Sequence, residues 1–270
     1  MNDSGTIEIV DLDQARHHSY FVCLEEWSEE MKEAGNHKEL WYKQMKDKGL
    51  RVKLALDREG RAGGMIQYLP IEHSFAEGEN LFIVKCIWVH GYKKGRGNFQ
   101  GKGMGKALIQ AAEADARSRG AAGMAAWGIP LPFWMKASWF KKQGYKKADK
   151  LGFLGQVLLW KPFSSDASPP RWIRPRKTPD AVAGKVVVTS FLNGWCPVQS
   201  IVHERAKRAS KAFGEQVEFR EIQTNNRDVF LEWGISDALY INGKSVRTGP
   251  PPAYTRIEKR IAREVRKMTR

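Results

Sequence analysis

A glycine-rich turn set between an apolar strand and a strong helix constrains this chain more than any other feature. Leu81-Phe82-Ile83-Val84-Lys85-Cys86-Ile87-Trp88-Val89 is dominated by β-branched and aromatic residues, which favour a strand. Gln100-Gly101-Lys102-Gly103-Met104-Gly105 follows, and residues 106–116 are strong helix formers. A strand that runs through such a turn into a helix creates an anion site. The first amides of the helix have no internal partners, and the helix dipole favours negative charge there. Glycines let those amides approach phosphate oxygens without interference from a Cβ. The expected ligand therefore carries phosphate.

Neither common nucleotide motif fits. The Walker pattern needs Ser or Thr after Gly-Lys, and here Gly105-Lys106 is followed by Ala107. The dinucleotide fingerprint spaces its glycines differently and uses a later acidic residue. Gln-x-x-Gly-x-Gly after a long strand does fit another pattern: it resembles the coenzyme A pyrophosphate loop of the GCN5-related N-acetyltransferase (GNAT) family.

At 270 residues and 42% hydrophobic content, the chain is long enough for two ordinary domains with real cores. No apolar run reaches the length of a membrane span, and Met1-Asn2-Asp3-Ser4-Gly5 lacks the pattern of a signal peptide. A cytoplasmic protein is expected, with no membrane partner. Cys23, Cys86 and Cys196 are far apart and odd in number, which argues against a disulfide framework. They offer no pair spacing suited to zinc, so no metal is expected. The formal net charge of +15 suits an anionic partner, such as coenzyme A or nucleic acid. Much of that charge lies in a connector and in the last helix, so coenzyme A does not account for all of it.

A run rich in Pro, Ser and basic residues from Lys161 to Pro179 cannot be a helix or a central strand. It divides the chain into domains at 1–162 and 185–270 with a linker at 163–184. Before it, the patterns predict a strand at 6–10, helices at 17–27 and 39–45, and strands at 52–56, 64–70 and 81–89. A helix after the glycine loop, a buried strand at 123–127, a helix at 134–143 ended by Gly144, and a strand at 157–160 follow. This order is similar to the GNAT fold, an α/β mixed-sheet acyl-CoA N-acyltransferase architecture. The segment Ala137-Ser138-Trp139-Phe140-Lys141-Lys142-Gln143-Gly144-Tyr145 looks like that family's Phe-Tyr-x-x-x-Gly-Phe helix end.

The resemblance implies acetyl-CoA as co-substrate and an amine as acceptor. Ile87 and Val89 would contact the pantetheine arm through their backbone. Gln100, Gly101, Lys102, Gly103, Met104, Gly105 and Lys106 would hold the pyrophosphate. Direct attack of an amine on a thioester needs a base for the ammonium and an acid for the leaving thiolate. Here the chain departs from the pattern. Phe140 stands where the family often has a tyrosine acid, Trp134 matches an asparagine, and the connection from Val89 to Gln100 is long. Glu72, His73 and His90 are the base candidates. Tyr145 is a substitute acid, weighed against a packing role. Glu72 and His73 also read as an ordinary solvated loop, and Cys86 as a buried strand thiol.

In the second domain a buried strand at 185–191 precedes Trp195-Cys196-Pro197 and a helix at 200–213. Strand 217–222, helix 228–234, strand 238–243 with Ile241-Asn242-Gly243-Lys244 at a hairpin, and a helix from 254 complete it. The order resembles a smaller thioredoxin-like α/β domain, and nearly the whole chain looks like the YoaP-like subgroup of acetyltransferases. A cysteine at a helix start can serve as a thiol site, here Cys196. The second redox cysteine would fall at Gln199, which removes dithiol exchange, and Asp237 matches the proline that usually faces the cysteine. A silent or binding role for Cys196 is the simpler reading. The basic last helix reads as a solvated face, since aromatic interleaving and a recognised nucleic-acid motif are lacking. The expected function is acetyl transfer from acetyl-CoA to an amine. The alternatives are a CoA-binding or thiol-binding interaction protein with decayed chemistry, and a basic module that recruits the transferase to nucleic acid.

Overall fold

The computed structural model describes residues 7–131, 134–152 and 155–268. Contacts divide the chain into two compact units. One runs through Trp27 and resumes over Lys43–Ile173; the other joins Ser28–Tyr42 to the chain from Arg174 onward.

The chain begins with β1 (Glu8–Asp11), α1 (His17–Phe21), α2 (Glu29–Lys32) and α3 (His37–Lys46), the last crossing the division between units. The first unit continues with β2 (Arg51–Leu56), β3 (Ala62–Pro70), β4 (Ala76–Glu77), β5 (Leu81–Val89), α4 (Met104–Ser118) and β6 (Gly123–Gly128). It closes with α5 (Ala137–Lys142), β7 (Lys146–Lys150), β8 (Val157–Pro162) and β9 (Arg171–Trp172). Seven strands form one sheet in the order β1-β2-β3-β5-β6-β8-β7. Every neighbouring pair is antiparallel except β5 and β6, which α4 connects as a parallel crossover. Leu108, Ile109, Ala112 and Ala116 recur at helical spacing and are fully buried, so α4 is fixed by one apolar face.

Two differences from the sequence reading have local causes. The helix predicted at 17–27 stops at Phe21, because Cys23 and Leu24 turn left-handed (φ 53° and 63°) and carry Leu24 into the core. Strand β7 was not predicted, since Lys-Lys-Ala-Asp-Lys has no apolar alternation, as suits the last strand of a sheet. After β8 the extended segment packs on the first unit: β9 joins β4, and Trp172 stacks on Phe75 with ring centroids 5.2 Å apart. The predicted strand at 6–10 and the basic last helix also include Thr6 and Arg270, which lie outside the described residues.

The second unit holds β10 (Val186–Leu192), α6 (Pro197–Lys211), β11 (Val217–Gln223), α7 (Arg227–Trp233), β12 (Ala238–Ile241), β13 (Lys244–Val246) and α8 (Tyr254–Met268). Its sheet has the order β11-β10-β12-β13, with β10 parallel to β11 and antiparallel to β12. All seven residues of β10 are buried, which marks it as the central strand. The predicted strand at 238–243 ends at Ile241, and the predicted hairpin turn Asn242-Gly243, both residues at positive φ, leads into β13. Helix α8 buries Ile257, Ile261 and Val265 against this sheet and turns its basic residues outward.

Within the second unit, Arg205 of α6 is 5% exposed, yet its guanidinium is well satisfied. It donates to Glu33 Oε1 (2.6 Å), to Glu30 Oε1 (2.9 Å) and to the Pro252 carbonyl (3.1 Å), and Arg208 also bonds Glu33. The hydrogen bond from Arg205, helped by Arg208 and opposed by burial, pulls the Glu33 carboxyl from its ordinary 4.5 to about 2. A carboxyl depressed in the folded state stabilises fully above its unfolded pKa and loses that contribution as pH falls. Unfolding free energy should therefore decline between about pH 4.5 and pH 2 more steeply in the native protein than in Glu33→Gln. Urea titrations across that window check it, and parallel slopes would refute it.

Candidate functional site

The site begins where two strands part. Along β3, the register of β5 pairs Gly64 with Val89, Ile66 with Ile87 and Gln67 with Cys86, then Tyr68 with Val84. Lys85 is the extra residue of a β-bulge, which bends and twists its strand. On its other side β5 pairs with β6 only over Leu81–Val84. Beyond Val84 the parallel neighbours no longer hydrogen-bond. The His90 amide donates to the Gly63 carbonyl (2.9 Å), so Trp88 and His90 turn their backbone groups toward β3. Alternation along a strand then turns those of Ile87 and Val89 to the side that β6 has left. Two side chains reach this edge: Trp127 Nε1 donates to the Lys85 carbonyl (2.9 Å), and Gln100 Nε2 donates to the Val89 carbonyl (3.3 Å).

The open edge leads into the glycine loop. Gly101 (φ 77°) and Gly103 (φ 90°) adopt left-handed conformations that other residues enter only with strain. Gly103 is the N-cap of α4, no side chain caps the helix, and its first turn has no acidic residue. The positive end of a 15-residue helix is thus presented with uncapped amides. Phe99 anchors the loop: it is 3% exposed, its amide donates to the His90 carbonyl (2.9 Å), and Lys102 Nζ lies 5.3 Å from its ring centre. The long connection before the loop is tied down by Arg96, which pairs with Glu26 and donates to the Ala62 carbonyl (3.0 Å). Burial opposes ionisation of Glu26, but hydrogen bonds from Arg96 and Ser19 hold its carboxyl below the ordinary range. Gln100 and Gly101 through Lys106 are thereby gathered at one end of β5, beside Ile87 and Val89.

The proposed acid and base groups are not gathered there. Glu72 and His73 lie in a short 3-10 turn after β3, and Pro70 pairs with Phe82 at the start of β5. They are separated from the glycine loop by the nine-residue length of β5, about 26 Å at the usual rise per residue. His90 is fully buried, and both ring nitrogens are engaged: Trp27 Nε1 lies 3.0 Å from Nε2, and the Gly97 carbonyl 2.7 Å from Nδ1. An indole N–H can only donate and a carbonyl can only accept, so Nδ1 carries the proton and Nε2 its lone pair. No nitrogen of His90 is left to take a substrate proton. Tyr145 is 2% exposed and packs on Phe140 at 5.6 Å between ring centres; burial and the nearby Glu113 carboxylate push its hydroxyl well above the ordinary range. That environment suits packing and makes the phenol a poor acid.

Sequence reading passed over Lys85 as part of the strand. Its side chain is 1% exposed, with Nζ 4.0 Å above the Phe75 ring, at the bulge where the strands part. At the bulge register, the Gln67 side-chain Oε1 accepts from the Tyr20 hydroxyl (2.6 Å), making a second buried polar group there. The available signal was the single charge within an otherwise apolar strand.

In the second unit Cys196 is the N-cap of α6, is 8% exposed, and is followed by Pro197 in the first turn. The loop before it is held by Asp237, whose carboxylate accepts from the Asn193 amide (3.0 Å), Trp195 Nε1 (2.9 Å) and the Ser236 hydroxyl (2.8 Å).

Residues 10–130 match the model of the Acetyltransferase (GNAT) family. The N-terminal part of the chain has the mixed-sheet GNAT acyl-CoA N-acyltransferase fold, and the match makes the protein an acyltransferase. Similar solved structures include the PaiA N-acetyltransferase from Thermoplasma acidophilum in complex with coenzyme A (17% identity, 58% of this chain and 99% of that chain, TM-score 0.44). Others are the GNAT family N-acetyltransferase YhbS from Escherichia coli in complex with CoA (11%, 62% and 90%, TM-score 0.44), and a GNAT family acetyltransferase from Brucella melitensis in complex with acetyl-CoA (15%, 62% and 96%, TM-score 0.40). No curated protein matches the chain. No described helix is long and apolar enough to cross a membrane.

The tautomer of His90 is directly measurable. Long-range 1H–15N spectra at neutral pH should show one protonated nitrogen, Nδ1, and one unprotonated nitrogen, Nε2. The reverse pattern would contradict the arrangement with Trp27 and Gly97.

Proposed function

We propose that the first unit transfers an acetyl group from acetyl-CoA to the amine of an acceptor. The observation that carries this reading is the parting of β5 from β6 at the Lys85 bulge, directly ahead of an uncapped helix start. The pyrophosphate would lie on the amides from Gly101 to Lys106, with Gln100 tying the loop to the strand. The amide-bearing pantetheine would extend along the backbone of Ile87 and Val89, as an added strand does on a free edge. In the transfer, the amine lone pair attacks the thioester carbonyl carbon and the carbon–sulfur bond breaks. The nitrogen gives up one proton and the leaving thiolate takes one. Phe140, fully buried, has none to give, so solvent protonates the thiolate in this reading. Glu72 and His73, exposed and half-buried respectively, are the base positions open to an acceptor approaching the Leu81 end.

A second reading is a CoA-binding protein whose transfer chemistry has decayed. It is favoured by Phe140 and by the engaged nitrogens of His90. For the second unit we propose a thioredoxin-like module, supported by its strand order with a central strand parallel to one neighbour and antiparallel to the other. Gln199 follows Cys196 within the first turn of α6, so the module works without dithiol exchange.

Acetyl-CoA should bind the native protein and bind Gly103→Glu and Gly105→Glu at least tenfold more weakly, about 1.4 kcal/mol or more. Calorimetric titration measures this, and equal affinities would sink the pyrophosphate assignment. Release of free thiol over a panel of amines separates enzyme from binder; no turnover with any amine favours the second reading. Cys196→Ser should leave turnover unchanged, and loss of activity would give that thiol a role in transfer.

A further inference from the structure

We propose that His37, His203 and Glu204 form a binding site for one divalent transition-metal ion, with zinc the ion their donors suit. All three lie in the second unit, His37 as the first residue of α3 and the other two side by side on α6. One donor atom from each lies within 4.8 Å of the other two. His37 Nε2 and Glu204 Oε1 are 2.8 Å apart, and the two imidazoles stand edge to face with centres 5.4 Å apart. Zinc bonds to nitrogen and carboxylate oxygen are about 2.0–2.2 Å long, which places tetrahedral ligands about 3.3 Å from one another. The present spacings bracket that value, so side-chain rotations alone can seat an ion. Two imidazoles and a carboxylate are borderline donors that favour zinc over magnesium or calcium, and three protein ligands leave one position for water.

The surroundings of His203 supply the second observation. Its side chain is 1% exposed, and Nδ1 lies 2.9 Å from the Ser190 hydroxyl. Nε2 is buried without a hydrogen-bond partner, although Glu221 Oε2 is only 3.1 Å away. In this proposal the proton sits on Nδ1 facing Ser190, which leaves the Nε2 lone pair for the ion. A metal-bound histidine commonly donates its other N–H to an oxygen acceptor, the position the Ser190 hydroxyl would take here. Glu221 lies 3.6 Å from Lys207 Nζ and stays with that cation outside the ligand set. Gly35 (φ 63°) adds room: a Cβ there would stand 3.4 Å from His37 Nε2 and 3.8 Å from Glu204 Oε1. The bound ion would pin the chain around His37 onto α6, beside the contacts that Arg205 makes with Glu30 and Glu33.

The test uses untagged, chelator-treated full-length protein. Zinc titrated in competition with a chromophoric chelator should bind as one equivalent per chain. Cobalt should give the d–d absorption of a tetrahedral nitrogen and oxygen site without a sulfur charge-transfer band. His37→Ala and Glu204→Gln change partly exposed side chains (18% and 26%), and each should weaken zinc at least tenfold with an unchanged circular-dichroism spectrum. Absence of stoichiometric zinc, a sulfur charge-transfer band, or full affinity in both variants overturns the proposal.

Discussion

Two parallel strands that share hydrogen bonds over Leu81–Val84 and then lose them leave a row of backbone groups to be satisfied by something else. The Lys85 bulge is the local cause, because an extra residue on one strand shifts the register with β3 and increases the twist. The edge is closed at both ends and open in the middle. Trp127 meets the Lys85 carbonyl, Gln100 meets the Val89 carbonyl, and Ile87 lies between them. The glycine loop inherits its position from this edge, since Gln100 bonds the end of the same strand whose parting exposes it. A straight β5 paired with β6 throughout would leave α4 with an uncapped start and no neighbouring groove.

Lys85 shows what the bulge costs. An ammonium taken out of water loses several kcal/mol of hydration unless a partner replaces it. The Phe75 ring, itself stacked on Trp172, returns part of that by presenting its negative face 4.0 Å away. Trp172, in the extended connector, is held by this stack and by the pairing of β9 with β4. The aromatic stack that β9 completes lies directly under a buried charge. Elsewhere in the unit, Lys161 donates to buried Glu113 (2.7 Å), so another buried charge is likewise kept with a partner.

Much of the first unit was legible because its signals are local. The run from Leu81 to Val89 became a strand with those limits, and the glycines at 101 and 103 took the left-handed turns for which glycine is suited. The helix predicted from Lys106 starts at Met104, a difference of two residues at a loosely defined boundary. The misses are places where tertiary contacts outweigh pattern. Tyr20, Phe21, Leu24 and Trp27 have helical spacing, yet Leu24 is buried through a left-handed turn. His90 ends an apolar strand and reads as a polar residue available for chemistry. Its engagement depends on Trp27 and Gly97, at separations of 63 and 7 residues, which no local pattern reports. His37 and His203 are 166 residues apart in sequence, and no ligand spacing of the kind that identifies zinc motifs links them.

The second unit places a buried cysteine at the start of α6 beside a carboxylate. Asp237 spends its carboxylate on the Asn193 amide, the Trp195 indole and the Ser236 hydroxyl, so its charge is occupied in shaping the loop before Cys196. Two of these donors, Asn193 and Trp195, belong to that loop and tie it to Asp237. Cys196 is buried at the cap of α6, and Gln199 occupies the position from which a second thiol would close a disulfide. Exchange through this helix start would require an external thiol to reach a cysteine that is 8% exposed. The geometry is therefore better suited to holding the N-terminus of α6 in place than to turnover. A fixed α6 is what the neighbouring groups need, since Arg205 and His203 on that helix are both buried and must meet their partners without slack.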